Sequence, residues 1–338
     1  MPWSSFSCRA AILGALAGAA ATLLHGSGAA QAQPPSQPQE YPVKPIRLVV
    51  PYPPGALTDL LGRAVGERLS AALKQPVVIE NKPGAGTLIG AEMVAKAVPD
   101  GYTLMMATST TLGISPAMYK KSTIDPERDF APIAQLGAVN FFLIARPDFP
   151  ARTLKEAIAT IQATPGQFNY GSVGNGSPHH LFMEALKKEY GLDIQHVPYK
   201  GIVAALPDLL SGKIDMAFAD ATAAIPNIEA GKVIGLGSSA ATPTTLIAGV
   251  PPIAATVPGF DWQAWQGVVA PAGTPPAIVT LLSTELQRIQ ASSDFRALLV
   301  TFGMDPSPPN TPEEFAAIVK ADRERWARAV EAFATKID

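Results

Sequence analysis

IRLVVPYPPGALTDLLGRAVGERLSAAL, residues 46–73, carries the pattern that decides the fold. Ile46 to Val50 is a short β-branched and apolar run stopped by Pro51, the form of a strand buried in a parallel sheet. From Leu57 the apolar positions Leu61, Ala64, Val65, Leu69, Ala72 and Leu73 step by four, three and one, which places them on one helical face. Only Pro51-Tyr52-Pro53-Pro54-Gly55-Ala56 separates the two, so the strand feeds directly into a helix N-terminus. Further strands are predicted at Val77 to Ile79 and Tyr102 to Ala107. The same order recurs downstream: strand Asn169 to Ser172, helix Pro178 to Tyr190, strand Ile194 to Val197, helix Ala204 to Leu210, strand Ile214 to Phe218. Alternation at this spacing predicts an α/β fold of parallel sheets covered by helices. No repeat of fixed period runs through the chain, which argues against solenoids and propellers.

The start of the chain fixes the expected compartment. A single basic residue, Arg9, precedes an apolar stretch from Ala10 to Leu24, and Ala30-Gln31-Ala32 follows as a small-x-small site. That is the make-up of a signal peptide over residues 1–32, with cleavage expected after Ala32 and a periplasmic destination. The apolar run is shorter than the roughly 20 residues a membrane helix needs. Cys8 lies in the segment removed, so the mature chain is expected to hold no cysteine, which excludes disulfides, thiolate catalysis and cysteine metal sites. Residues 33–40 read as a disordered, Pro- and Gln-rich leader. The remaining 338 minus 32, or 306, residues suggest two domains. Without Arg9 the chain carries 25 basic against 28 acidic residues and no basic block, so no nucleic-acid partner is expected.

Helix starts are marked by capping boxes at Thr153/Glu156 and Thr311/Glu314, and by Ser177-Pro178, whose helix ends at Gly191. Three strand-to-helix turns are rich in Gly and small hydroxyl residues: Pro53 to Asp59, Thr108-Ser109-Thr110, and Gly171 to Ser177. In a parallel sheet such turns gather at the carboxyl ends of the strands, where ligands bind. Glycines admit a ligand to the backbone, and the first N–H groups of a helix attract an anion. Each turn alone is equally an ordinary capped turn; three together point to a carboxylate site.

These residues also carry a family resemblance. Pro53-Pro54-Gly55-Ala56-Leu57-Thr58-Asp59, Glu80-Asn81-Lys82-Pro83-Gly84-Ala85-Gly86, Pro99-Asp100-Gly101-Tyr102-Thr103-Leu104, Tyr170-Gly171-Ser172 with Gly174, Gly176 and Ser177, and Pro198-Tyr199-Lys200-Gly201 resemble, in order, the Bug receptors of tripartite tricarboxylate transport systems. The resemblance implies a two-lobed, Venus-flytrap periplasmic-binding fold with parallel-rich sheets and helices on both faces. It places lobe 1 at 41–137 plus 260–338 and lobe 2 at 138–259. It implies a monomer that captures an organic carboxylate, such as a dicarboxylate, and delivers it to a permease of a large and a small integral-membrane subunit. Carried over by position, Pro54, Gly55, Ala56, Leu57, Thr58 and Asp59 form the first ligand loop, with Thr108 and Ser109 beside it. Ser172, Asn175, Gly176, Ser177, His180 and Asp220 face them from the second lobe.

Departures from the family pattern bear on the ligand. Ala56 and Leu57 add bulk where the family loop is commonly Gly followed by a small residue, and Val203-Ala204 replaces the usual Gly-Pro pair. The expected ligand therefore has an apolar or aromatic body. Lys82 and Lys200 read as solvated side chains. His179 and His180 are adjacent and diverge by about 100° on a helix, so no metal site is expected. Trp262 and Trp265 read as packing at a lobe boundary. No cofactor and no catalytic residue is expected, since no Gly-x-Ser-x-Gly elbow is present and a capping Ser177 has its hydroxyl occupied. The alternative is a periplasmic hydrolase or oxidoreductase: Gly84 to Gly90 nears the dinucleotide fingerprint but is one residue too long.

Overall fold

The computed structural model describes residues 41–333; the expected signal peptide, its cleavage point and the leader lie outside them. The strands are β1 (Ile46–Val50), β2 (Val77–Asn81), β3 (Thr103–Thr108), β4 (Phe130–Val139), β5 (Phe141–Ala145), β6 (Phe168–Ser172), β7 (Ile194–Pro198), β8 (Met216–Asp220), β9 (Ile234–Ser238), β10 (Ala264–Pro271) and β11 (Met304–Pro306). They form two sheets, ordered β11-β4-β10-β3-β1-β2 and β7-β6-β8-β5-β9, and the fold is two-lobed α/β.

Strands linked by helices pair in parallel, β1 with β2 and β3, and β6 with β7 and β8. The other pairings are antiparallel: β10 with β3 and β4, β11 with β4, and β5 with β8 and β9. The sheets are thus mixed where the alternation predicted parallel ones. Chain direction explains this. β1, β3, β6 and β8 all run toward the edge where the two sheets meet. A strand that enters its sheet from that edge must run away from it. β5 does so, starting at Phe141 opposite Asp220, the last residue of β8; β10 starts at Ala264 opposite Val139. Only Asn140 separates β4 from β5, and the return runs between Ser238 and Ala264.

The helix Leu57–Leu73 buries Leu61, Val65 and Leu69 against Leu48 and Val50, the face its periodicity predicts. Both capping boxes are formed. The helix Pro178–Tyr190 starts on Ser177 and stops at Gly191 with φ +61°. β8 begins two residues later than predicted. Asp215 is taken up in the turn before it, accepting hydrogen bonds from Arg146 Nε at 2.8 Å and Asn169 N–H at 2.8 Å. On the C-terminal helix Pro312–Phe333, Trp326 is fully buried, stacked on Phe182 at 6.0 Å and edge-on to Trp262 at 4.9 Å. Trp265 on β10 is buried as well, with Nε1 donating to Asp322 Oδ2 of the same helix at 2.8 Å. Aromatic packing thus ties the helices of one sheet to those of the other. Among the described residues no helix is long and apolar enough to cross a membrane.

Candidate functional site

The loop after β1 is held by one buried carboxylate. Gly55, at φ +82°, turns its N–H onto Asp59 Oδ2 at 2.8 Å; a side chain would be strained in this left-handed conformation. Arg63 Nε donates to the same oxygen at 3.0 Å, and Asn81 Nδ2 donates to Oδ1 at 2.8 Å. Burial opposes the charge on Asp59, but Arg63, the Gly55 N–H and Asn81 together hold its carboxyl below the usual range. Asp59 therefore shapes the loop from behind. The cap position of the helix is Ala56, with no side chain to occupy the first N–H groups. Next to it Tyr52 Oη lies 3.1 Å from Thr108 Oγ1, which lies 3.0 Å from Thr111 Oγ1.

The turn after β6 closes on itself. Ser177 Oγ accepts from His180 N–H at 3.3 Å and donates to the Gly174 carbonyl at 2.7 Å. Gly176 N–H donates to His180 Nδ1 at 3.1 Å, and Ser172 Oγ lies 2.6 Å from His196 Nε2. The His196 ring stacks on both Tyr170 and His180, with ring centroids 4.9 and 4.2 Å away. Burial, and then the neighbouring His180, push its imidazole down to about 4.

Between the two sheets lies a cavity of about 850 Å³. Tyr52, Gly55, Ala56, Leu57, Thr58, Thr108 and Thr110 form one wall, and the crossing strands contribute Val139, Phe141, Ala264 and Gln266. The opposite wall comes from Pro178 and His179, from Ile202, Val203, Leu206, Pro207 and Leu210 on the helix Ile202–Leu210, and from Asp220, Thr222, Ala223, Pro226 and Asn227. Phe302 completes it. No Lys or Arg lines it among the described residues.

Of the residues carried over from the family pattern, Gly55, Ala56, Leu57, Thr58, Thr108 and Asp220 line this cavity. Pro54 and Asn175 are exposed outside it. Asp59, Ser172, Gly176, Ser177 and His180 stand behind it in the bonds just described, and Ser109 Oγ accepts the Trp265 N–H at 3.1 Å. Val203 stood out in the sequence only as a departure from the family pattern, and the apolar wall on Ile202–Leu210 was not foreseen. Its four-residue spacing has the same form as a core-facing stripe, and Val203 is 84% exposed. His179, set aside with the metal candidates, lines the cavity with both ring nitrogens unpartnered. Burial lowers its pKa, against the opposing pull of Asp220. Among the described residues no three His, Cys, Asp or Glu side chains are grouped to hold a metal. Lys82 is paired to Glu80 at 2.9 Å, away from the cavity.

Chemically, the first wall can hold an anion on backbone N–H groups and hydroxyls, and the opposite wall can cover a hydrocarbon body. Known proteins similar to this chain in sequence and structure include carboxylate binders. Protein BugT of Bordetella pertussis is 30% identical over 90% of this chain and 93% of its own length. The R. palustris protein Rpa4515, solved with adipate, superposes with a TM-score of 0.74 at 31% identity, covering 87% of this chain and 99% of that one. MatC from Rhodopseudomonas palustris, solved with bound malate, gives 0.71 at 32% identity over 86% and 100%. The description "Tripartite tricarboxylate transporter family receptor" matches residues 61–334, and the chain belongs to that family.

Proposed function

We propose that this chain is an exported periplasmic receptor that captures a small organic carboxylate with an apolar body and passes it to a two-subunit membrane permease without chemical change. The observation that carries this reading is the contrast within one cavity: an uncapped helix N-terminus ringed by Tyr52, Thr58, Thr108 and Thr110, facing Ile202, Val203, Leu206 and Leu210. The carboxylate sits on the N–H groups of the helix Leu57–Leu73, and its carbon body lies on Leu57 and the opposite helix. Asp59, Ser109, Ser172, Gly176, Ser177 and His180 support the walls; Ser177, with its hydroxyl already engaged on both sides, is no nucleophile. The lobes meet at Asn140 and at the return before β10, and the protein acts as a monomer that closes on its ligand.

The test is a thermal-shift screen of protein unfolded and refolded to strip any bound ligand, against dicarboxylates, tricarboxylates, amino acids, and aliphatic and aromatic monocarboxylates. A shift confined to acids with an apolar body is the expected result. Tightest binding of citrate would overturn the apolar-body reading, and silence toward every acid would overturn the carboxylate reading.

A further inference from the structure

We propose that the ligand bears, besides its carboxylate, a protonated amine that pairs with Asp220, so that the receptor prefers an apolar amino-carboxylate to a dicarboxylate. This rests on the carboxylate reading of the same cavity and narrows its ligand class.

Asp220 ends β8, caps the helix Ala221–Glu229 and lines the cavity wall opposite the uncapped helix N-terminus. Its Oδ1 does the capping, accepting from Ala223 N–H at 3.1 Å and from Thr222 Oγ1 at 2.5 Å. Its Oδ2 accepts no hydrogen bond among the described residues, and Asp220 is in no ion pair. No Lys or Arg stands in the lining to balance it. Of the other titratable residues there, Tyr52 is held protonated by burial, and burial lowers the pKa of His179 to about 4 against the pull of Asp220, which leaves it neutral.

The cavity therefore presents a helix N-terminus suited to one anion and, across from it, a carboxylate with an open oxygen. A dicarboxylate would bring its second charge into a space whose one fixed charge is already negative. An ammonium would instead form a charge-assisted hydrogen bond and leave the pair neutral. Ile202, Val203, Leu206, Leu210 and Phe302 take the remaining carbon surface. The cap alone does not call for this charge, because Asn and Ser serve that position as well as Asp.

Titration calorimetry on the refolded protein tests this with two matched sets: leucine with its deaminated and hydroxy analogues, and ε-aminocaproate with caproate and adipate. In at least one set the amine is expected to bind about tenfold or more tighter than its partners. Asp220→Asn, which keeps the cap, is expected to bring that ratio to about one. A plain acid, hydroxy acid or diacid that matches the amine in both sets, or an amine preference that survives Asp220→Asn, overturns the proposal. If plain acids bind and the amine confers no advantage, the carboxylate reading stands and this inference alone falls. If no member of either set binds, both fall.

Discussion

The loop after β1 and the turn after β6 occupy equivalent places in the two sheets, and each carries glycine and ends at a helix. They differ in what stands at the helix cap. Ser177 fills the cap of its helix, and the surrounding hydroxyls and imidazoles satisfy one another. Ala56 leaves its cap empty, and the nearest carboxylate, Asp59 in the first turn, is engaged by Gly55, Arg63 and Asn81. An N-terminus already satisfied by its own chain has little to offer a ligand. One left open in a cavity wall is free to interact with an anion. Under the proposed function, the same class of turn serves binding on one side and structure on the other.

Removing Asp59 should strike hardest, since it is 1% exposed and three donors depend on it. Asp59→Ala is expected to cost about 2–3 kcal/mol in urea denaturation and to weaken ligand about tenfold or more as the loop loses its preorganisation. Unchanged affinity would mean that the first loop is no more a ligand site than the second.

Exchanging the caps separates stability from binding. Ala56→Asp should stabilise its helix by about 1 kcal/mol while weakening a carboxylate ligand by about ten- to a hundredfold, because the new side chain takes its N–H groups and repels it. Ser177→Ala should lose about 1 kcal/mol of stability and leave calorimetric affinity within about threefold. Were Ser177→Ala to abolish binding at unchanged melting temperature, the contrast between the two turns would collapse.

The smallest expected effect is a pH slope that belongs to the second turn. The folded-state value of His196, about 4, lies below the ordinary 6.5, so the unfolded chain takes up its proton first. Stability is fully present above about 6.5 and declines as pH falls toward 4. His196→Gln should flatten part of that decline in melting temperature between pH 7 and 5; an unaltered slope would place it elsewhere.

Several features were legible in the residues alone. The run from Ile46 to Leu73 announced a strand and an amphipathic helix, because side-chain periodicity reports which face is buried. Thr153, Ser177, Gly191 and Thr311 marked helix ends, because capping is satisfied within a few residues. The apolar character of the cavity mouth showed at Leu57. Tertiary structure alone decided the rest. Whether β5 and β10 run with or against their neighbours depends on the side from which the chain enters each sheet. Whether Ile202, Leu206 and Leu210 face a core or a cavity depends on what stands opposite them, which their spacing does not encode. The direction in which Asp59 turns was settled by Asn81, 22 residues away, and Asp220 was brought to the same cavity as a helix N-terminus more than 160 residues before it. Sequence patterns record local hydrogen bonding and burial, whereas a binding site is made by groups that the chain brings together only on folding.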